Sequence, residues 1–179
     1  MKAKYQTKIF TLFLAGAFFL VSCNNSSEQS KSNSVNTETK NEKIMYQNIP
    51  QDFGEKYAAA WSGQDAAAHA KFFAPEGSQI VNNGTAAIGR DAIAKVAQSF
   101  MTAFPDMLVV CDSLPTTSKG IEFHWTLTGT NTGPGGTGNK VHITGVEILQ
   151  FGSNGLIKES NGSFDEAEYN RQLKDGFEN

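Results

Sequence analysis

Ile121–Asp165, IEFHWTLTGTNTGPGGTGNKVHITGVEILQFGSNGLIKESNGSFD, decides the fold, because it reads as three antiparallel strands joined by two turns. Ile121, Phe123, Trp125 and Leu127 alternate with Glu122, His124, Thr126 and Thr128. That period of two belongs to a strand with one apolar and one polar face. Four glycines and Pro134 punctuate Thr132–Asn139, so that segment can only be a loop returning the chain. Val141–Phe151 is the return strand. Asn154-Gly155 suits a two-residue hairpin turn, whose positions require positive φ, and Leu156–Phe164 pairs back.

Register follows from matching faces, since a slip of one residue turns every side chain over. Setting Phe123 opposite Ile148, Trp125 opposite Val146 and His124 opposite Glu147 brings apolar residues together. The second hairpin then sets Ile148 against Asn161, Gln150 against Glu159 and Val146 against Ser163. On this reading one face carries Phe123, Trp125, Val146 and Ile148 beside Gln150, Glu159, Asn161, Ser163 and Asp165. Apolar walls with converging polar groups are what a small-molecule pocket needs.

Outward from this stretch, the beginning of the chain has the form of an export signal. Lys2, Lys4 and Lys8 precede an apolar run, Ile9–Val21, too short to span a bilayer, and Leu20-Val21-Ser22-Cys23 follows. The tetrad resembles a bacterial lipobox. That resemblance implies a signal over residues 1–22, cleavage before Cys23, lipid on that cysteine and a domain anchored to a membrane of the cell envelope, on its periplasmic or outer side. An ordinary signal peptide or a signal anchor is the alternative. Residues 24–43 are Asn, Ser, Glu, Gln, Lys and Thr with Val35 as the one apolar side chain, too little to bury a core. Residues 23–44 therefore read as a tether, about twenty flexible residues covering on the order of 25 Å.

Without Lys2, Lys4 and Lys8, the 15 basic residues fall to 12 against 18 acidic ones, a formal charge of −6. An acidic chain with no basic patch argues against nucleic acid as a partner. Once Cys23 is used, Cys111 is left alone, so no internal disulfide is expected. His69, His124 and His142 are far apart and have no ligand-spaced partners, so no metal is expected.

Residues 45–179 are of a length for one domain. Phe53, Tyr57 and Trp61 recur every four residues and predict a helix ending near Gly63. Asp65 is placed to cap a short helix running to Phe73, stopped by Pro75. Ser78–Val81 reads as a short strand, Asp91–Phe104 as a helix with Ile93, Val96, Phe100 and Phe104 on one stripe, and Leu108–Leu114 as a strand. Helices first and then an antiparallel sheet predict an α+β domain with helices folded over one sheet face.

Across this domain Ala60-Trp61-Ser62-Gly63-Gln64-Asp65, Phe73-Ala74-Pro75-Glu76, Gly89-Arg90-Asp91-Ala92-Ile93, Phe104-Pro105-Asp106, Gly129-Thr130-Asn131-Thr132-Gly133 and Arg171-Gln172-Leu173 resemble the SnoaL-like polyketide cyclase family. The resemblance implies the nuclear transport factor 2-like fold: a curved, cone-shaped antiparallel sheet wrapped by the N-terminal helices, with a ligand cavity and frequent homodimers through the sheet. It implies a cofactor-free acid/base cyclase or isomerase of a carbonyl compound, using a late-strand aspartate. In the family's last-strand pattern, one alignment sets Gly162 at the aspartate position and the other retains Asp165. Asn131 stands where the family has a histidine.

The carboxylates that share parity with Trp125 are Glu159 and Asp165, the two candidates for acid or base. Asp165 would equally cap a helix starting at Glu166. His124, opposite Glu147, forms a second candidate dyad, or else a structural pair on the outer sheet face. Tyr57, Trp61, Trp125, Gln150 and Asn161 are the expected ligand-binding residues for a small hydrophobic or carbonyl-containing compound. A non-catalytic binding module of the cell envelope is the alternative, and no cofactor is expected.

Overall fold

A computed structural model describes residues 49–178. The signal, Cys23 and the tether through residue 44 lie outside the described residues. Helix α1 (Phe53–Ser62) buries Phe53 and Tyr57, half-buries Trp61 and ends at Gly63, as the four-residue recurrence predicts. Helix α2 (Ala66–Ala70) is capped by Asp65, whose side chain accepts the Ala68 N–H at 2.9 Å. It stops short of the predicted end because β1 begins at Phe73 and runs to Val81. Pro75 sits in the stretch where β1 pairing shifts register, a place that tolerates a missing N–H. After β2 (Ala87–Ile88) comes α3 (Arg90–Ala103), which buries Ile93, Ala97 and Met101.

Five strand segments and a final helix follow: β3 (Leu108–Ser113), β4 (Thr116–Thr117), β5 (Gly120–Thr130), β6 (Lys140–Phe151), β7 (Ile157–Phe164) and α4 (Glu166–Asp175). The sheet order is β2-β1-β7-β6-β5-β3, with β4 paired to β5. It departs from the all-antiparallel expectation at one place, where β1 runs parallel to β7. The helices α1 to α3 cover the face that carries Phe73, Phe123, Leu149 and Ile157, and these residues join Tyr57, Ile93 and Phe104 in one core.

The β5–β6 register differs from the expected one by a single residue. Phe123 lies opposite Glu147, Trp125 opposite Gly145 and Leu127 opposite Ile143, while His124 faces Val146 and Glu122 faces Ile148. The reason is in the rest of β6. Val141, Ile143, Leu149 and Phe151 are all buried, and together they outweigh Val146 and Ile148 in deciding which face turns inward. Glu147 and Gly145 ride inward with them.

The β6–β7 pairing matches expectation, with Ile148 opposite Asn161, Gln150 opposite Glu159 and Val146 opposite Ser163. Its turn differs. Gly152 N–H bonds to Leu156 C=O at 2.8 Å and Gly155 N–H to Gly152 C=O at 3.0 Å, a three-residue loop with Gly155 at φ 74°. A register shift after Gln150 compensates for the longer loop, so the strand beyond it is paired as predicted.

Two side chains complete the ladder where strands run out. Ser62 Oγ accepts the Val109 N–H at 2.8 Å and donates to the Val109 C=O at 3.2 Å, closing part of the β3 edge. Beyond the end of β7, the Gln172 amide accepts the His142 N–H at 2.6 Å and donates to the His142 C=O at 3.0 Å, which fastens α4 to β6.

Candidate functional site

Inside the sheet's concave face lies a small cavity of about 60 Å³. Its walls carry five aromatic rings, Trp61, Phe100, Phe123, Trp125 and Phe164, with aliphatic side chains from Val81, Val109, Leu127 and Ile143 between them. Gly145 is what admits the Trp125 indole: a Cβ there would overlap the ring, so the indole lies across β6 where a side chain would otherwise stand. Trp125 and Phe164 meet edge to face at 6.1 Å, and Trp61 meets Phe100 likewise at 6.1 Å.

Two polar side chains reach the cavity, Gln79 and Glu147. Glu147 is 4 % exposed and is the one ionisable group in the lining. Three donors converge on its Oε1: Tyr57 Oη at 3.1 Å, Gln79 Nε2 at 3.1 Å and Ser160 Oγ in close contact. They come from α1, β1 and β7, so three elements fix this carboxyl. No donor among the described residues reaches Oε2 of Glu147, and the residue stands in the lining of the cavity.

Burial pushes the Glu147 carboxyl above the ordinary glutamate range, while the Ser160, Gln79 and Tyr57 hydrogen bonds pull it part of the way back. Tyr57 is pushed well above the ordinary phenol range, first by burial and then by the neighbouring Glu147, so it stays a neutral donor. A carboxyl group bonded in this way can gain or lose a proton at Oε2 while Oε1 keeps the same three donors. The network does not have to rearrange when the proton moves, which is the preorganisation that acid/base chemistry requires.

Behind Trp61 and Tyr57, with ring centroids 4.1 Å and 5.2 Å away, sits His69. It is fully buried, and neither ring nitrogen has a partner among the described residues. Burial lowers its pKa to about 3, so the imidazole is neutral.

Of the residues expected from sequence, Trp61 and Trp125 line the cavity and Tyr57 reaches it through Glu147. The others lie elsewhere. The one-residue difference in register turns Gln150, Glu159 and Asn161 to the outer face, where Glu159 Oε1 stands 3.3 Å from Lys158 Nζ. Asp165 caps α4, accepting the Glu168 N–H at 2.9 Å. His124 is outward too, 3.2 Å from Glu122 Oε2 on its own strand, and does not face Glu147.

Glu147, Gln79 and Ser160 are the polar groups that the sequence pattern did not place in the site. The available signal was Glu147 itself, a lone acid inside an otherwise inward apolar series on β6. Asn131, at the position of the family's histidine, is structural here: it donates to the Ala103 C=O at 3.1 Å and accepts the Thr137 N–H at 2.9 Å, holding the β5–β6 loop against α3. No cluster of three or more metal-ligating side chains is present among the described residues, and none of their helices is long and apolar enough to cross a membrane.

The fold is that of known structures. A ketosteroid isomerase-like protein from Catenulispora acidiphila, solved in complex with trimethylamine, aligns with TM-score 0.61 and 16% identity over 71% of this chain and 95% of its own. A protein from Jannaschia described as a candidate SnoaL-like polyketide cyclase aligns with TM-score 0.58 and 16% identity, covering 69% and 92%. An NTF2-like protein from Exiguobacterium aligns with TM-score 0.54 and 20% identity, covering 63% and 97%. At these identities the likeness establishes the NTF2-like fold alone. A search of curated sequences finds no match. The family model for SnoaL-like polyketide cyclases matches residues 51–173, nearly the whole described domain, and the chain belongs to that family.

Proposed function

We propose that the domain moves a proton on a small, largely apolar carbonyl compound, with Glu147 as the acid/base. The observation that carries this reading is the Glu147 carboxyl: buried in the lining of an aromatic cavity, with three donors on one oxygen and the other without a donor among the described residues. A raised carboxyl pKa brings the group toward the range in which it can accept and return a proton near neutrality. Gln79 and Tyr57 position it, and Trp61, Trp125 and Phe164 exclude water around the reacting carbon. The size of the cavity favours a compound of one ring or less over a polycyclic one.

The test is deuterium exchange. The purified chain in D₂O is mixed with small cyclic ketones and β-dicarbonyls, and loss of the α-proton signal is followed by NMR. Exchange that slows by about 10²-fold or more in Glu147→Gln supports the reading. Equal exchange rates in the two proteins overturn it and favour the second reading, a non-catalytic ligand-binding module built on the same cavity.

We further propose export and lipid attachment at Cys23, which would hold the domain at a membrane of the cell envelope on the residue 24–44 tether; the support is the basic, apolar and lipobox-like order of residues 2–23. Metabolic labelling with a radioactive fatty acid that survives Cys23→Ser would contradict it. Pairing of two copies through the outer sheet face is supported by the exposed Leu108 and Val110 on the edge strand β3.

A further inference from the structure

The geometry points to a small organic cation, a tertiary or quaternary alkylammonium group, as the ligand that this cavity recognises. This rests on reading the Glu147 cavity as a ligand site. The first observation is charge: among the described residues Glu147 has no Lys, Arg or His ion-pair partner, and no basic side chain lines the cavity. A buried carboxylate without a positive partner is costly, and a cation arriving from solvent removes that cost.

The second observation is the wall. Trp61, Trp125, Phe100, Phe123 and Phe164 present five aromatic rings around one small volume. The electron-rich faces of such rings attract alkylammonium groups, and tryptophan does so best. An uncharged apolar ligand would be served as well by Leu and Ile, and it would leave Glu147 unpaired. The third is valence: Oε1 already accepts three donors, while no donor among the described residues reaches Oε2, so the carboxyl keeps one oxygen for a ligand. The long-range field agrees, since the chain carries more acidic than basic residues and attracts cations.

The groups that face Glu147 are Tyr57 and Trp61 from α1, Gln79 from β1 and Ser160 from β7, with His69 of α2 behind the first two and neutral; none competes as a counter-ion. A compound that carries a fully alkylated nitrogen next to its carbonyl group would satisfy both this inference and the proposed proton transfer.

Choline and its neutral carbon isostere, 3,3-dimethylbutan-1-ol, separate charge from shape. In calorimetric titrations of the purified chain at pH 7.5, choline should bind at least tenfold tighter than the isostere. That preference should disappear in Glu147→Gln, whose fold is checked by its amide spectrum. Phe164→Leu keeps the carboxylate and removes one ring, and it should weaken choline more than the isostere. Carboxyl ¹³C spectra should show Glu147 moving toward its ionised position as choline is added. Equal affinities for the two compounds, or a choline preference that persists in Glu147→Gln, overturn the cation inference while leaving the cavity as a neutral-ligand site. Binding of neither compound overturns it as well, and deuterium exchange then decides separately whether the cavity transfers a proton.

Discussion

At the scale of single residues, Glu147 is balanced between burial, which disfavours its charge, and three donors, which favour it. Removing one donor tips the balance in a known direction. Gln79→Leu should raise the Glu147 midpoint further, because the carboxylate loses a hydrogen bond and the desolvation is unchanged. Carboxyl ¹³C titration reads this, and an unchanged or lower midpoint would refute the assigned network. Glu147→Ala is a harsher change, since it leaves the Tyr57 and Ser160 hydroxyls and the Gln79 amide facing an apolar gap. It should cost at least about 2 kcal/mol in urea unfolding. Glu147→Gln keeps an acceptor at Oε1 and should be far milder.

At the scale of elements, α1, α3 and β5 were legible because their apolar residues repeat at one clear period, and β7 because a glycine-containing turn returns the chain onto β6. The β6 face was not. On that strand the inward series contains Gly145 and Glu147, a glycine that makes room for Trp125 and an acid that serves the cavity, so the strand looks least apolar where it is most functional. Matching Trp125 to Val146 was the locally better pairing, and the distant Val141, Ile143, Leu149 and Phe151 decided otherwise. That single slip set every polar candidate on β6 and β7 on the wrong side. Of the two roles open to Asp165, the helix cap is the one the structure shows. Asp165→Ala should therefore destabilise the domain by about 1 kcal/mol through loss of the α4 cap. Choline affinity and any proton-exchange activity should stay within twofold of the parent chain. A tenfold loss of either, in a variant that still folds, would return Asp165 to the site.

At the scale of the whole molecule, Glu147 and His69 make stability fall on opposite sides of a pH range. The folded chain holds the Glu147 proton more tightly than the unfolded chain does. Its contribution is therefore greatest below the ordinary glutamate range and is lost as pH rises from there through the raised folded value. His69 works in the other direction: the folded ring resists protonation down to about pH 3 whereas the unfolded ring charges near its ordinary value of 6.5. Stability from that source is present above 6.5 and declines as pH falls, by about 2 kcal/mol on reaching pH 5. Urea unfolding from pH 4 to pH 8 on the parent chain, His69→Leu and Glu147→Gln separates the two. His69→Leu should flatten most of the decline below pH 6.5. The acid loss that remains belongs to Asp106 and Glu168, whose pKa values are lowered by hydrogen bonds from Thr130 and from Arg171. Glu147→Gln should leave the acid limb as it is and remove the decline that sets in as pH rises from the ordinary glutamate range. If its curve instead parallels the parent's from pH 4.5 to pH 8, Glu147 is charged in the folded state as readily as in the unfolded one. The cavity would then be wetter and less enclosed than the packing of α1 to α3 over the sheet makes it.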